Sequence, residues 1–178
     1  SSTFAEGNDN FTTADNGMIY DKNNTLVYVP STIGGEVVLA KGVKLGKYAF
    51  AFNTKITNVV LPDDLEEIPE GAFFGCTALT TLVVPDSVNT YGASMCEGCT
   101  ALTSVTLGKG GNTLPKAAFK DCTALRELTI PENITTVNTA TFEGCRMVVK
   151  VYYSSILNIP STMKAVYTTE GVTCECIG

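Results

Sequence analysis

Ala72-Phe73-Phe74-Gly75-Cys76-Thr77-Ala78-Leu79-Thr80-Thr81-Leu82-Val83-Val84-Pro85 decides how this chain is read. The stretch returns as Met95-Cys96-Glu97-Gly98-Cys99-Thr100-Ala101-Leu102-Thr103-Ser104-Val105-Thr106-Leu107, again from Ala118 to Pro131, and in weaker form from Thr141 to Val151. The period is 23 residues: Phe73, Cys96, Phe119 and Phe142 share a column, with Phe50 one period upstream. Cys76, Cys99, Cys122 and Cys145 form a second column, and Leu79, Leu102, Leu125 and Val148 a third, headed by Ile56.

A fixed period of 20 to 29 residues with a Leu-x-x-Leu-x-Leu core is the mark of a leucine-rich repeat solenoid. One coil cannot bury its own apolar side, so coils stack and identical columns become ladders. The expected fold is an α/β-type solenoid with one parallel β-sheet face, an irregular or short-helical convex side and an N-terminal β-hairpin cap. Each coil opens with a strand such as Thr80 to Val84 and turns at Pro62, Pro85 or Pro131, because Pro has no N–H for the ladder. Six strands at about 4.8 Å spacing would make a sheet only about 24 Å across.

Working outward, residues 1–16 are polar and are expected to be a mobile lead-in. Met18-Ile19-Tyr20 and Leu26-Val27-Tyr28-Val29 flank a polar turn and read as the capping hairpin that shields the first coil. Glu36 to Phe50 reads as an imperfect first coil, one residue short. The repeat domain is placed at 17–153. Residues 154–178 are assigned to a C-terminal cap, in which Ala165-Val166-Tyr167 is a candidate edge strand and Cys174-Glu175-Cys176 a terminal one. One coil exchanges Ala-Phe for Met95-Cys96, and the flexible Met95 thioether is expected to fill the space of the missing ring. Gly108-Lys109-Gly110-Gly111, in place of Pro-x-x-Val, suggests a flexible convex turn.

The bulk composition narrows the function classes. The 178 residues suffice for one domain with a continuous core. Only 17% of residues are charged and 44% are hydrophobic, which argues against disorder. With net charge −6 and 12 scattered Lys and Arg, the chain lacks the clustered cations that nucleic acid requires. No apolar run is long enough to span a membrane. Ser1 to Gly7 has neither the basic start nor the apolar stretch of a leader. His is absent, which removes the commonest general base and metal ligand.

These residues resemble the bacterial surface-antigen (BspA-like) branch of leucine-rich repeat proteins. That family's pattern, Leu-x-x-Val-x-Ile-Pro-x-x-Val-x-x-Ile-Gly-x-x-Ala-Phe-x-x-Cys, is similar to Leu79 through Cys99. Its opening hairpin is similar to Asn16-Gly17-Met18-Ile19-Tyr20-Asp21-Lys22 followed by Leu26-Val27-Tyr28-Val29-Pro30. The resemblance covers roughly residues 14 to 153. It implies a secreted or cell-surface protein of a host-associated bacterium, its leader peptide outside these residues, that binds proteins such as host matrix or cell-surface components. It carries over no individual functional residue, because the family motif is a core motif.

Candidate chemistry is sparse. The column cysteines read as small buried hydrophobes. Cys96-Glu97-Gly98-Cys99 has redox spacing, but that spacing follows from a column Cys plus one Phe-to-Cys exchange. A zinc site at Cys174/Cys176 would need two further ligands, so no metal, cofactor or catalytic residue is assigned. Asp63-Asp64 and Glu66-Glu67 read as a solvated turn. The sheet face remains. Residues beside the Val59, Leu82, Val105, Leu128, Val151 column must point outward, because strand side chains alternate. Most are Thr, Ser, Asn and Val. The C-terminal end adds Glu127, Lys150 and Tyr152, with Arg126 at the margin and Thr106 and Thr129 alongside, and these six are the candidate protein-binding residues. The expected function is a non-enzymatic, adhesin-like recognition module. The alternative is a spacer or self-assembly module of a larger surface protein.

Overall fold

Ile56-Thr57-Asn58-Val59-Val60 is a β-branched run that forms a strand with Ile56 and Val59 buried and Thr57 and Val60 exposed. The same logic builds every coil of the computed structural model, which describes residues 10–177. The hairpin region holds β1 (Phe11–Thr13), β2 (Ile19–Asp21) and β3 (Thr25–Tyr28). The coils follow as β4 (Gly35–Val38), β5 (Lys44–Leu45), β6 (Ile56–Val60), β7 (Glu67–Ile68), β8 (Thr81–Val83), β9 (Thr90–Tyr91), β10 (Ser104–Thr106), β11 (Thr113–Leu114), β12 (Glu127–Ile130), β13 (Thr136–Val137) and β14 (Val148–Val151). A 3-10 turn (Ile156–Asn158), helix α1 (Ser161–Thr169) and β15 (Thr173–Cys176) close the chain.

The long strands stack in parallel as β4-β6-β8-β10 and as β12-β14-β15. On the second side of each coil, two-residue strands pair in parallel, Ile68 opposite Tyr91 and Leu114 opposite Val137. The third side is a run of turns, with no helix assigned there among the described residues. Two turn columns take left-handed φ between 57° and 81°: Tyr48, Gly71, Ser94, Ala117 and Ala140, and Phe52, Gly75, Gly98, Asp121 and Gly144. Every second N–H of the turn then points along the stack, while those between, such as Ala49 and Ala51, bond back to Gly46 and Tyr48 within the coil. Tyr48, Phe50 and Phe52 donate to the carbonyls of Glu70, Ala72 and Phe74 in the next coil, at 3.0, 3.0 and 2.7 Å.

The core is the set of ladders. Phe50 and Phe73 stack at 5.4 Å between centroids and Phe119 and Phe142 at 6.3 Å. All four rings are buried, and each is worth about 1.5–3 kcal/mol relative to an exposed ring. Between the two pairs, Met95 and Cys96 are both fully buried, as the exchange in that coil requires. At the head of the Cys column stands Asn53, whose Nδ2 donates to Ile33 O at 3.0 Å and whose Oδ1 accepts from the Ile56 N–H at 2.8 Å.

Several expectations are corrected. Residues 11–13, expected in a mobile lead-in, form β1, which pairs antiparallel with β2; residues 1–9 lie outside the described residues. The last coil slips: Leu128 pairs with Val149, not Val151, and Met147 takes the buried place expected of Val148. A slip of two preserves the faces, because side-chain direction alternates with period 2. Ala165–Tyr167 lies in α1 rather than in a strand, because Met163, Val166 and Tyr167 at helical spacing bury one face on the last coil. The Cys174–Cys176 segment is indeed a strand and joins the sheet beside β14. The Gly108–Gly111 run is a close approach rather than a flexible turn. A Cβ on Gly108 would overlap the carbonyl of Pro85, and one on Gly110 the carbonyls of Asp86 and Val88.

Candidate functional site

Two outward columns define the sheet face. Register and period align Val38, Val60, Val83, Thr106, Thr129, Lys150 and Glu175 in one, and Glu36, Asn58, Thr81, Ser104, Glu127, Val148 and Thr173 in the other. The second column is a polar ladder at its start. Asn58 Nδ2 donates to Glu36 Oε2 at 2.9 Å, and the Thr81 hydroxyl donates to Asn58 Oδ1 at 3.1 Å.

The six expected residues all lie on or beside this face, and none is buried. Glu127 and Lys150 form an ion pair at 3.1 Å, and Thr129 stands opposite Lys150 in the ladder. Tyr152 follows β14 and is exposed. Arg126 lies at the strand-entry edge, where it and Arg146 line an open groove of ≈ 550 Å³. Thr106 belongs to β10, across a break in the ladder, since β10 and β12 are neighbours in different hydrogen-bonded sheets. The charged end therefore comes together around Lys150, and Thr106 stands apart from it.

The larger omission is at the other end. Val38, Val60 and Val83 form an exposed apolar stripe, 65%, 41% and 62% accessible. Val60 and Val83 are legible as outward positions. Val38 is not, because the first coil is one residue short, so it pairs with Val60 at a spacing of 22 rather than 23. Val60, Val83, Asn58, Asp63 and Pro85 line a groove of ≈ 340 Å³. Glu175, opposite Lys150, was likewise missed, because the tail does not follow the period.

The thiols are built for packing. Each column thiol donates to a carbonyl of the preceding coil: Cys76 to Phe50, Cys99 to Phe73 and Cys122 to Cys96 at 3.1 Å, and Cys145 to Phe119 at 3.0 Å. Burial pushes Cys76 up to about 12 and Cys145 up to about 11, and lifts Cys122 further. Cys96 is held well above the ordinary value by its hydrogen bond with Cys99 and by burial. A nucleophilic thiol needs the opposite shift. Cys174 and Cys176 point to one side of β15 and are half-buried against the core. In the acidic turn, Asp64 is structural and accepts the Gly42 N–H at 2.9 Å. Among the described residues no three Cys, Asp or Glu converge as metal ligands, and no helix is long and apolar enough to cross a membrane.

The geometry is that of a repeat scaffold, and the family comparison agrees. Six copies of the BspA type leucine rich repeat region match residues 43–165. The chain belongs to this family. Similar solved folds include a leucine-rich repeat protein of Eubacterium ventriosum, 22% identical with a TM-score of 0.74 over 83% of this chain and 41% of that one. The pneumococcal vaccine antigen PcpA is 24% identical, with a TM-score of 0.64 over 97% of this chain and 48% of its own. A leucine rich cell surface protein of Faecalibacterium prausnitzii is 22% identical, with a TM-score of 0.57 over 96% and 40%. At these identities the likeness is one of fold, and the BspA-type chain spans less than half the length of each of the three. No curated protein matches it significantly.

Proposed function

We propose that this BspA-type repeat domain is a non-enzymatic recognition module of a secreted or surface-displayed bacterial protein, binding a protein partner on its sheet face. The observation that carries the reading is the gradient along the sheet face: exposed Val38, Val60 and Val83, then Thr106 and Thr129, then Lys150, paired with Glu127 of the neighbouring column, with Tyr152 beyond the strand end. An apolar stripe with an aromatic and a charged end offers the mixture that protein interfaces use. Parallel strands hold it rigidly, so little ordering entropy is lost on docking. Raised thiol pKa values and the absence of His leave the chain poor in groups for nucleophilic or acid–base catalysis. The surface setting draws support from the Faecalibacterium relative, which is described as a cell surface protein. The partner class proposed is a host matrix or cell-surface protein.

The test is binding to immobilised matrix and cell-surface proteins, with Val60→Glu/Val83→Glu and Lys150→Glu/Tyr152→Ala as paired variants. Both pairs alter exposed positions, so Tm should hold within a few degrees. The reading requires that a bound partner is lost, by roughly tenfold or more in Kd, in at least one pair. A partner whose affinity survives both pairs unchanged docks elsewhere and overturns it.

A further inference from the structure

Three aromatic rings stand on the turn side of the first two coils, outside the sheet-face site. Tyr48 is 45% and Phe52 69% exposed, while Phe74 is half-buried. Phe74 meets both edge-to-face, with centroids 6.3 Å from Tyr48 and 5.3 Å from Phe52. The Tyr48 ring lies over Gly71 and the Phe52 ring over Gly75, so both rings are seated rather than loose. Tyr48 and Phe52 also hold left-handed φ, a conformation bulky residues seldom take. In the next coil the same two positions are Gly71 and Gly75. Closing the coil therefore does not need the rings, and their presence calls for another reason.

Two carboxylates, Glu70 and Glu97, stand near the rings, and Lys120, next after Glu97 in its column, is turned to Glu143 at 3.8 Å. The Tyr48 hydroxyl donates to Glu70 Oε1 at 3.4 Å, and Glu97 follows Phe74 one coil further along its column. Lys47 pairs with Glu70 at 3.6 Å, whereas Glu97 has no ion pair among the described residues. Partial desolvation, then the charges of Glu70 and Glu97, hold the Tyr48 phenol above its ordinary pKa.

We infer that Tyr48, Phe52 and Phe74, with Glu97, form a docking site for an Arg side chain of a partner protein. A guanidinium stacks on aromatic faces and pairs with a carboxylate in the same pose, which a neutral group cannot do. This site is independent of the sheet-face reading, and its occupant is cationic.

The probe is an alternating Gly-Arg peptide titrated into the full chain and followed by NMR of the aromatic rings, with a Gly-Glu peptide and a neutral glucose oligomer as controls. Saturable shifts at Tyr48, Phe52 and Phe74 are expected with Gly-Arg alone. The double variant Tyr48→Gly/Phe52→Gly copies the Gly71/Gly75 pair of the next coil, so it should fold with unchanged or higher Tm and bind about tenfold more weakly. Glu97→Gln should weaken binding severalfold. Equal Gly-Arg affinity in the double variant would mean diffuse attraction to an acidic protein and would overturn the inference. So would ring shifts with the glucose oligomer instead, or no ring shifts at all. Sheet-face variants leave this readout untouched, which separates its failure from that of the proposed function.

Discussion

At the scale of the residue, the repeated cysteine illustrates how a ladder disarms a reactive group. A thiol in that column is small enough for the core and donates to a carbonyl one coil back, four times over. Burial then holds Cys76, Cys122 and Cys145 protonated, with Cys76 at about 12. Native labelling with a thiol reagent, counted by intact mass, should leave Cys76, Cys96, Cys99, Cys122 and Cys145 unmodified at mildly alkaline pH. Only the half-buried Cys174 and Cys176 should react, and all seven should react in denaturant. Rapid modification of Cys96 or Cys99 in the folded protein would mean that the Met95 coil is open.

At the scale of the element, the C-terminal cap solves a problem the repeat creates. The turn of the last coil points its N–H groups toward a coil that does not follow. Glu170, at the end of α1, supplies the acceptor: its carboxylate takes the Phe142 N–H at 2.7 Å and also bonds the Ala140 N–H. Glu170→Ala leaves those donors unmatched and should cost about 1–3 kcal/mol in urea unfolding. Burial outweighs these bonds and raises the carboxyl above the ordinary glutamate value, so the folded protein binds that proton more tightly than the unfolded chain. Its share of stability is present below the unfolded pKa and is lost as pH rises through the folded one. Tm measured against pH should therefore fall less over the mildly acidic range in Glu170→Gln than in the parent chain. This cap was poorly legible in the sequence. Ala165-Val166-Tyr167 suits a strand, and only its packing on the last coil makes it helical. The coils were legible because every column position is dictated by its neighbour above and below.

At the scale of the whole molecule, stability is a sum over coils and their interfaces. Removing residues 82–104 deletes one period of 23 and joins Thr81 to Val105, positions that already follow one another in register. The shortened chain should keep its circular-dichroism shape and unfold cooperatively, since the cut also brings the Phe73 and Phe119 coils together. Cutting one residue more or fewer turns strand side chains to the wrong face and should abolish folding. The period thus made the fold readable, while the candidate sites were readable only in part. Glu127 and Lys150 were visible as outward positions that the period sets opposite each other, but the two-residue slip, which no column announces, makes their ion pair a diagonal one and puts Thr129 opposite Lys150. Tyr48 and Phe52 sit where the period supplies turn residues, so nothing in the pattern marks them as a cluster.

The inter-coil hydrogen bonds on all three sides run along the stack. Tension applied between the two ends of the chain would therefore load them one rung at a time, as in peeling tape, rather than all together. Each coil that opens would release 23 residues, about 80 Å of extended chain, while the coils beyond it stay closed. A solenoid of this kind, held at both ends, is a stepwise extensible tether, and its binding face would be dismantled in sequence rather than lost at once.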